Sequence, residues 1–175
     1  AGAYLRGIDN FDIQSTYKTL LRNANVEGGA RPFIREYIEK GYISDPDVKN
    51  PHVETKAKAG VSKTLEYAYD DYSLAQLAKK LGDTANYRIL MARSKNYKNM
   101  FDPATRFMRG RLENGAWIKP FNAEYPYYEY MYREANAWQV SFYAPHDMKG
   151  LIDLYGGTAG FESKLDSLFT LPWNP

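Results

Sequence analysis

The sequence predicts a mainly α-helical fold of antiparallel helix pairs with one small β-hairpin inserted near residues 107–121. Apolar residues recur at helical spacing through most of the 175 residues. Glycines and capping residues stand where these patterns break off. Short extended runs flank Asn114-Gly115 instead. The length suits one domain, so residues 1–175 are interpreted as a single helical segment.

Two helices are predicted before residue 42. From Asp9 onward the apolar residues fall on one helical face, and the pattern ends at Gly28-Gly29. A shorter helix follows from about Pro32, because proline suits the first turn of a helix. Gly41 lies where a helix commonly ends.

The composition of residues 42–60 predicts a loop. They hold two prolines and several lysines among short polar residues. Asp45 and Asp47 are therefore interpreted as solvated loop residues.

Two long helices are predicted next. The first covers about Ser62 to Leu81, and its broad apolar surface indicates burial on more than one side. Gly82 ends it and Asp83 can cap its successor. The successor keeps a 3.6-residue period through Phe101. The short connection predicts an antiparallel hairpin or a tight corner.

The helical pattern then gives way to a hairpin. Asn114-Gly115 between two extended runs is the strongest short-range hairpin signal, which places a small β-hairpin or a long structured loop between Phe107 and Phe121. Arg109 and Arg111 lie in this stretch. Either arginine could bind a carboxylate through two hydrogen bonds or stay solvated on a surface strand.

Three helical stretches complete the chain. The first covers about Asn136 to Tyr143 and stops at Pro145. The second resumes near Met148 and ends at the glycine pair 156–157, and the last covers Phe161 to Phe169.

Composition excludes several classes of function. The formal net charge is +2, and no block of lysine and arginine marks a surface for nucleic acid. No apolar run approaches the roughly 20 residues needed to cross a bilayer. There is no cysteine, so disulfides and thiolate chemistry are excluded. The two histidines, His52 and His146, cannot make a conventional zinc site without carboxylates.

The segment YREANAWQVSFYAPHD, residues 132–147, carries the candidate chemistry. Glu134 is either a catalytic acid or a carboxylate favoured by a helix N-terminus. An acid that works near neutral pH needs a raised pKa, which aromatic burial can supply. Neighbouring aromatic residues make such burial plausible: Tyr128, Tyr130, Tyr132 and Trp138.

The residues around Glu134 suit sugar recognition as well as packing. The amides of Asn136 and Gln139 can bond hydroxyl groups, and Trp138 suits a sugar face or the core equally. His146 can orient a carboxylate or contact sugar. Asp147 is most simply the cap of the helix that follows it.

Asp70 and Asp71 lie in the middle of the first long helix. Neighbouring helical residues point about 100° apart, so the two carboxylates cannot easily face one ligand. One of them is therefore interpreted as an interior polar anchor.

Three stretches together resemble glycoside hydrolase family 92: SKTLEYAYDDY (62–72), NYKNMFDPATRFMRGR (96–111) and EANAWQVSFYAPHDMKGLIDLYGG (134–157). The opening AYLRGIDNFDIQSTY is similar to the helix that precedes these motifs in that family. The likeness covers essentially the whole chain, in order. The family consists of calcium-dependent exo-α-mannosidases with a β-sandwich domain and a catalytic (α/α)6 barrel, so the resemblance implies part of that barrel.

The resemblance also implies a role for each candidate residue. Glu134 matches the glutamate of the family motif EGNAWQ, which implies the general acid of an inverting α-mannosidase. Asn136, Trp138, Gln139 and His146 are the implied substrate-binding residues. Ala135 departs from the motif, because the family usually has glycine there, and its methyl group could alter the loop or crowd the site.

The family context sets further expectations. The general base and the calcium ligands are expected outside this chain, so no metal is expected on it. The implied partners are a mannose-containing glycan and the remainder of the parent polypeptide, and the implied location is periplasmic or secreted. We expect a fragment of a larger catalytic domain that is inactive by itself.

Helical periodicity by itself leaves two alternatives open. One is a non-catalytic helical module that binds carbohydrate or protein. The other is a different carbohydrate-active enzyme with an α/α toroid, since such folds share helix pairs and aromatic clefts.

Overall fold

The computed structural model describes residues 1–49, 57–125 and 130–172. His52 and Tyr128 lie outside these ranges. Helices dominate the described residues and are joined by one two-stranded antiparallel sheet. The helices are α1 (Gly2–Leu5), α2 (Ile13–Asn25), α3 (Ile34–Lys40), α4 (Gly60–Lys80), α5 (Thr84–Arg93), α6 (Ala137–Val140), α7 (Met148–Leu154) and α8 (Thr158–Thr170). The strands are β1 (Phe101–Asp102) and β2 (Phe107–Met108). In the described part of the chain, no helix is both long and apolar enough to cross a membrane.

The α4–α5 pair forms at the connection that the sequence predicts. Gly82 adopts a left-handed conformation with φ of 80°. The Asp83 side chain then accepts a hydrogen bond from the Asn86 N–H, so it caps α5 as expected. Tyr17 of α2 donates its hydroxyl to Asp83 at 3.0 Å. One aspartate thus caps α5 and fixes α2 against the same corner.

Helix α5 is shorter than its periodicity predicts. It ends at Arg93, and residues Asn96–Met100 form a 3₁₀ helix that leads into β1. The Ser94 hydroxyl donates to the Met91 carbonyl at 2.8 Å, and such bonding within the last turn competes with further α-helix. The apolar side chains beyond Ser94 still enter the core, since Tyr97 and Met100 are fully buried.

The β structure lies partly where it is expected. The sheet pairs Phe101 with Met108 and Asp102 with Phe107, so its first strand precedes the predicted hairpin. Around Asn114-Gly115 the chain does reverse, but only one isolated bridge, Arg111 with Trp117, joins the two sides. The hairpin signal therefore located the turn and not the extent of the strands.

The two arginines of this stretch have different environments. Arg109 is buried, and its guanidinium contacts Asp102 at 2.8 Å and the Ile118 carbonyl at 3.1 Å. Arg111 places its guanidinium 4.1 Å from the centre of the Trp117 ring. Arg109 is thus a carboxylate partner within the core and not a solvated residue.

The interpretation of Asp45 as a solvated loop residue is wrong. Its side chain is buried and accepts the Gly60 N–H at the start of α4 with both oxygens, at 3.1 and 3.0 Å. The first N–H groups of a helix lack partners within the helix, and Asp45 supplies one from the preceding loop. Burial raises the pKa of Asp45 to about 8. Asp47 is exposed, as expected.

Candidate active site

The residues before Glu134 are hydrogen-bonded to the start of α4. The Ala59 N–H donates to the Tyr130 carbonyl at 2.9 Å, and the Val61 N–H donates to the Met131 carbonyl at 3.0 Å. The Arg133 N–H donates in turn to the Ser62 hydroxyl at 2.9 Å. The first turn of α4 therefore holds residues 130–133 in place and positions the backbone that leads into Glu134.

Glu134 has a left-handed backbone with φ of 52° and an exposed side chain. A residue other than glycine in this region is uncommon, and such strain clusters at functional sites. The carboxylate has no hydrogen-bond or ion-pair partner within the described residues. Ala135 does not have a positive φ, and it packs partly buried against the core. The methyl group at position 135 is therefore accommodated.

The tyrosines expected to bury Glu134 serve the core instead. Tyr130 and Tyr132 are fully buried, and their hydroxyls donate to the carbonyls of Pro46 and Met108, each at 2.7 Å. Within this chain the Glu134 carboxylate faces solvent, so these two rings do not enclose it.

Asn136 and Gln139 form a capping box. The Asn136 side chain accepts the Gln139 N–H at 3.1 Å, and the Gln139 side-chain oxygen accepts the Asn136 N–H at 2.9 Å. The Asn136 amide also donates to the Glu124 carbonyl at 3.2 Å. The pattern N-x-x-Q predicts such a cap, which the interpretation as a sugar-binding pair overlooked. The Gln139 side-chain NH₂ has no partner among the described residues.

Trp138 and His146 both pack against aromatic residues. The Trp138 ring meets the Phe107 ring edge-on with centroids 4.7 Å apart, and the Lys164 ammonium lies 4.3 Å from its centre. His146 places Nε2 2.8 Å from the Ser94 carbonyl and lies against Tyr69. Burial lowers the pKa of His146, which favours the neutral ring. These contacts favour packing for Trp138 and leave His146 Nδ1 without a partner in the described part of the chain.

Asp147 and Asp71 have the structural roles that the sequence indicates. Asp147 caps α7 by accepting the Gly150 N–H, and it accepts the Tyr97 hydroxyl at 2.7 Å. Asp71 is fully buried between two arginines, Arg31 and Arg93. Each aspartate is thus held by several partners within the fold.

A cavity of about 200 Å³ lies beside the segment that ends in Glu134. We call it the Glu66 cavity; it is lined by Ser62, Leu65, Glu66, Arg133, Gln139, Val140 and Tyr143. Burial, followed by the negative charge of Asp70, raises the pKa of Glu66. Burial and the charge of Glu66 likewise raise the pKa of Tyr143. Of the predicted binding residues, Gln139 lines this cavity.

Glu66 and Tyr143 were not identified from the sequence as site residues. One signal was available: Glu66 and Asp70 are like charges four residues apart on one helix, an arrangement that destabilises a helix. Asp70 lies toward a second cavity of about 390 Å³, which Glu66 also lines. This face of α4 therefore carries two neighbouring carboxylates that line cavities.

The described residues do not fit a calcium ion. Within 1–49, 57–125 and 130–172, no group of three or more histidine, aspartate or glutamate side chains could hold a metal. Calcium prefers six to eight oxygen ligands, and Glu134 and Glu66 alone fall far short of that number.

Comparison with known sequences identifies the relatives of the chain. The family model of the glycosyl hydrolase family 92 catalytic domain matches residues 1–175. A protein of Arthroderma benhamiae described as an uncharacterized secreted glycosidase is 30% identical, over 96% of this chain and 25% of the relative.

Solved structures share the fold. A family 92 α-mannosidase of Bacteroides thetaiotaomicron in complex with mannoimidazole superimposes with a TM-score of 0.84 and 32% identity, over 99% of this chain and 22% of that one. A family 92 inverting mannosidase of the same species gives 0.82 and 25%, over 99% and 23%. The neighbours are (α/α)6 barrel enzymes, so the predicted mainly helical part of such a barrel is confirmed. The chain spans about a quarter or less of the length of these relatives.

Proposed function

This chain belongs to glycosyl hydrolase family 92, and we propose that it supplies the general acid, Glu134, to an enzyme that removes terminal α-linked mannose from glycans with inversion. The observation that carries the proposal is the position of Glu134. It follows a segment bonded to the start of α4, and its carboxylate has no partner in the described part of the chain. The likeness to an inverting mannosidase and to one that binds mannoimidazole supports the substrate and the stereochemistry.

Inversion assigns a single task to Glu134. One carboxylic acid protonates the departing glycosidic oxygen while a second carboxylate takes a proton from the attacking water, the two being roughly 6.5 to 9.5 Å apart. Glu134 holds the first proton, and the base is expected outside this chain. The Arg133 N–H bond to Ser62 positions the backbone from which Glu134 follows.

The Glu134 carboxyl group faces solvent in this chain. Closure of an active site expels water from around the reacting groups. We therefore expect the bound glycan and the remainder of the parent polypeptide to cover Glu134.

The same proposal covers the calcium ion, the domain and the location. Calcium would bind to residues outside this chain, where it would polarise the substrate. Residues 1–175 would form one segment of a helical catalytic domain. We also infer a periplasmic or secreted location, of which the relative described as secreted supports only the second. The chain by itself is expected to hydrolyse no α-mannoside. Ordinary mannosidase turnover by the purified 175 residues would contradict the proposal that the general base and the calcium ligands lie outside this chain.

The test of Glu134 is Glu134→Gln in the full-length protein that carries this chain. With an α-mannoside that has a poor leaving group, we expect kcat to fall by about 10² to 10⁴, because the glycosidic oxygen then departs without a proton. An activated aryl mannoside should lose much less. Glu162→Gln, at an exposed position on α8, is the matched control and should leave both rates unchanged. Unchanged turnover of the poor substrate would remove Glu134 from the acid role and favour a non-catalytic helical module.

A further inference from the structure

We propose that Asp45 and Ser62 are positioning residues for Glu134, which fix the backbone of the acid through the first turn of α4. This inference rests on the proposed function, because it takes Glu134 as the acid. Asp45 and Ser62 act through hydrogen bonds to the main chain.

Asp45 supplies an acceptor to the start of α4. The first N–H groups of a helix have no partner within the helix. The Gly60 N–H donates to both Asp45 oxygens, at 3.1 and 3.0 Å, and Asp45 is only 2% exposed. A Cβ at Gly60 would overlap the Ile43 carbonyl oxygen and lie 2.6 Å from Asp45 Oδ2. The close approach of the carboxyl group to the helix therefore depends on glycine at position 60.

The loop that carries Asp45 is itself fixed to its surroundings. The Asp45 N–H donates to the Arg111 carbonyl at 2.9 Å. The Ile43 N–H donates to the Thr64 hydroxyl at 3.0 Å, and that hydroxyl donates to the Gly60 carbonyl at 2.7 Å. Asp45 thus holds the first turn of α4 from a loop that has several bonds of its own.

The first turn of α4 passes this position on to the acid. The Val61 N–H donates to the Met131 carbonyl at 3.0 Å, and the Ser62 hydroxyl accepts the Arg133 N–H at 2.9 Å. Ser62 is 9% exposed, so this last bond lies largely out of water. A shift of the first turn of α4 would therefore move Arg133 and, with it, the next residue, Glu134.

The backbone on both sides of this contact needs support. Glu134 and Ala59, the residue before α4, have left-handed φ angles of 52° and 50°. Such conformations are unfavourable for residues other than glycine, and they persist only where the surrounding structure holds them. Glu134 lies between the hydrogen bond to Ser62 and the capping box that begins at Asn136. Loss of the support before Glu134 would allow its backbone to relax and its carboxyl group to move.

A displaced acid affects one class of substrate more than another. A misplacement of about 1 Å can slow an enzymatic step by about 10². A substrate with a poor leaving group needs the proton of Glu134, whereas an activated aryl mannoside depends on it much less. Partial unfolding lowers both rates by the same factor. The ratio of the two rates therefore reports the position of the acid and does not depend on the folded fraction.

The experiment measures this ratio in variants of the full-length protein. In Asp45→Ala and in Ser62→Ala we expect kcat for the poor substrate to fall about tenfold more than kcat for the aryl mannoside. Asp45→Asn should restore most of the loss, because its amide oxygen can still accept from Gly60. Burial raises the pKa of Asp45 to about 8, so at neutral pH a neutral amide replaces a neutral acid. Asp47→Ala, at an exposed position of the same loop, is the matched control and should change neither rate.

A second measurement repeats the substitutions in a Glu134→Gln background. With the acid absent its position no longer matters, so Asp45→Ala and Ser62→Ala should slow the poor substrate no further. Unchanged rates, equal losses on the two substrates, or a loss that persists in the Glu134→Gln background would each overturn the positioning role. If Asp45→Ala does not fold, Ser62→Ala decides by the same ratio, and a lack of selectivity there refutes the proposal.

The acid is tested separately from its positioning. If Glu134→Gln alone fails to slow hydrolysis of the poor substrate, the proposed function falls whatever the other variants do. If Glu134→Gln slows hydrolysis and neither Asp45→Ala nor Ser62→Ala is selective, only the positioning role is wrong.

Discussion

Two carboxylates on helix α4, Asp71 and Glu66, have opposite environments although they lie only five residues apart. Asp71 is fully buried and satisfied: Arg31 donates at 2.6 Å, Arg93 donates at 2.8 and 3.0 Å, and the Tyr37 hydroxyl lies at 3.3 Å. These partners come from three separate parts of the fold, so Asp71 joins them.

Glu66 differs from Asp71 in exposure and in partners. Its side chain is exposed, lines a cavity next to the candidate acid and has no hydrogen-bond partner in the described ranges. Partial burial and the charge of Asp70 raise its pKa, while the charges of Lys63 and Arg133 lower it. The comparison teaches that the segments packed against α4, and not the helix itself, decide whether a carboxylate becomes a buried anchor.

The largest effect is expected at Asp71. Asp71→Asn should lower the free energy of unfolding by about 3 to 5 kcal/mol, because two buried guanidinium groups then lose their counter-charge. Chemical denaturation followed by tryptophan fluorescence measures the change. Asp70→Asn is the matched control: its side chain is 54% exposed and lies 3.5 Å from Arg31, so the loss should stay below about 1 kcal/mol. Similar losses in the two variants would contradict the assignment of Asp71 as the anchor.

A pH-dependent effect of intermediate size is expected at Asp45. Its pKa of about 8 lies above that of an unfolded aspartate, so between these values the folded state holds one proton more than the unfolded state. The free energy of unfolding should therefore fall by about 1.4 kcal/mol per pH unit as the pH rises from 5 to 7. Asp45→Asn cannot titrate and should lack this slope, while its oxygen still accepts from Gly60. Denaturation curves at pH 5, 7 and 9 compare the two proteins, and parallel profiles would exclude a proton on Asp45.

The smallest effect on stability is expected at Glu66. Glu66→Gln removes no hydrogen bond of the described fold and relieves repulsion from Asp70, so the free energy of unfolding should change by less than about 0.5 kcal/mol. Chemical denaturation of both proteins measures the change. A loss as large as that of Asp71→Asn would contradict the contrast between the two carboxylates.

Local sequence features predicted the caps and turns well. Asp83 and Asp147 cap the helices that follow them, and Gly41 ends α3 in a left-handed conformation. Each of these features depends on residues within one helical turn, so local chemistry suffices to identify it. The capping box of Asn136 and Gln139 is equally local, and it was missed because the two amides were assigned to sugar.

Long-range contacts explain the wrong predictions. Asp45 is a loop residue by composition, yet Gly60 lies fifteen residues away and buries it. The sheet is a local exception: β1 pairs with β2 across the turn 103–106, which lacks the Asn-Gly signal that marks the turn at 114–115. Tyr130 and Tyr132 belong to the core because Pro46 and Met108 accept their hydroxyls.

The sequence by itself determined the helical class, the family likeness and Glu134 as the candidate acid, because periodicity and ordered motifs are properties of the chain. The tertiary structure decided that Asp71 is an anchor, that Asp45 is buried and that Glu66 faces a cavity. The physical reason is that hydrogen-bond partners and low-dielectric surroundings come from distant segments. Residues 62–66 and 133–143 become neighbours only when the first turn of α4 binds the segment before Glu134.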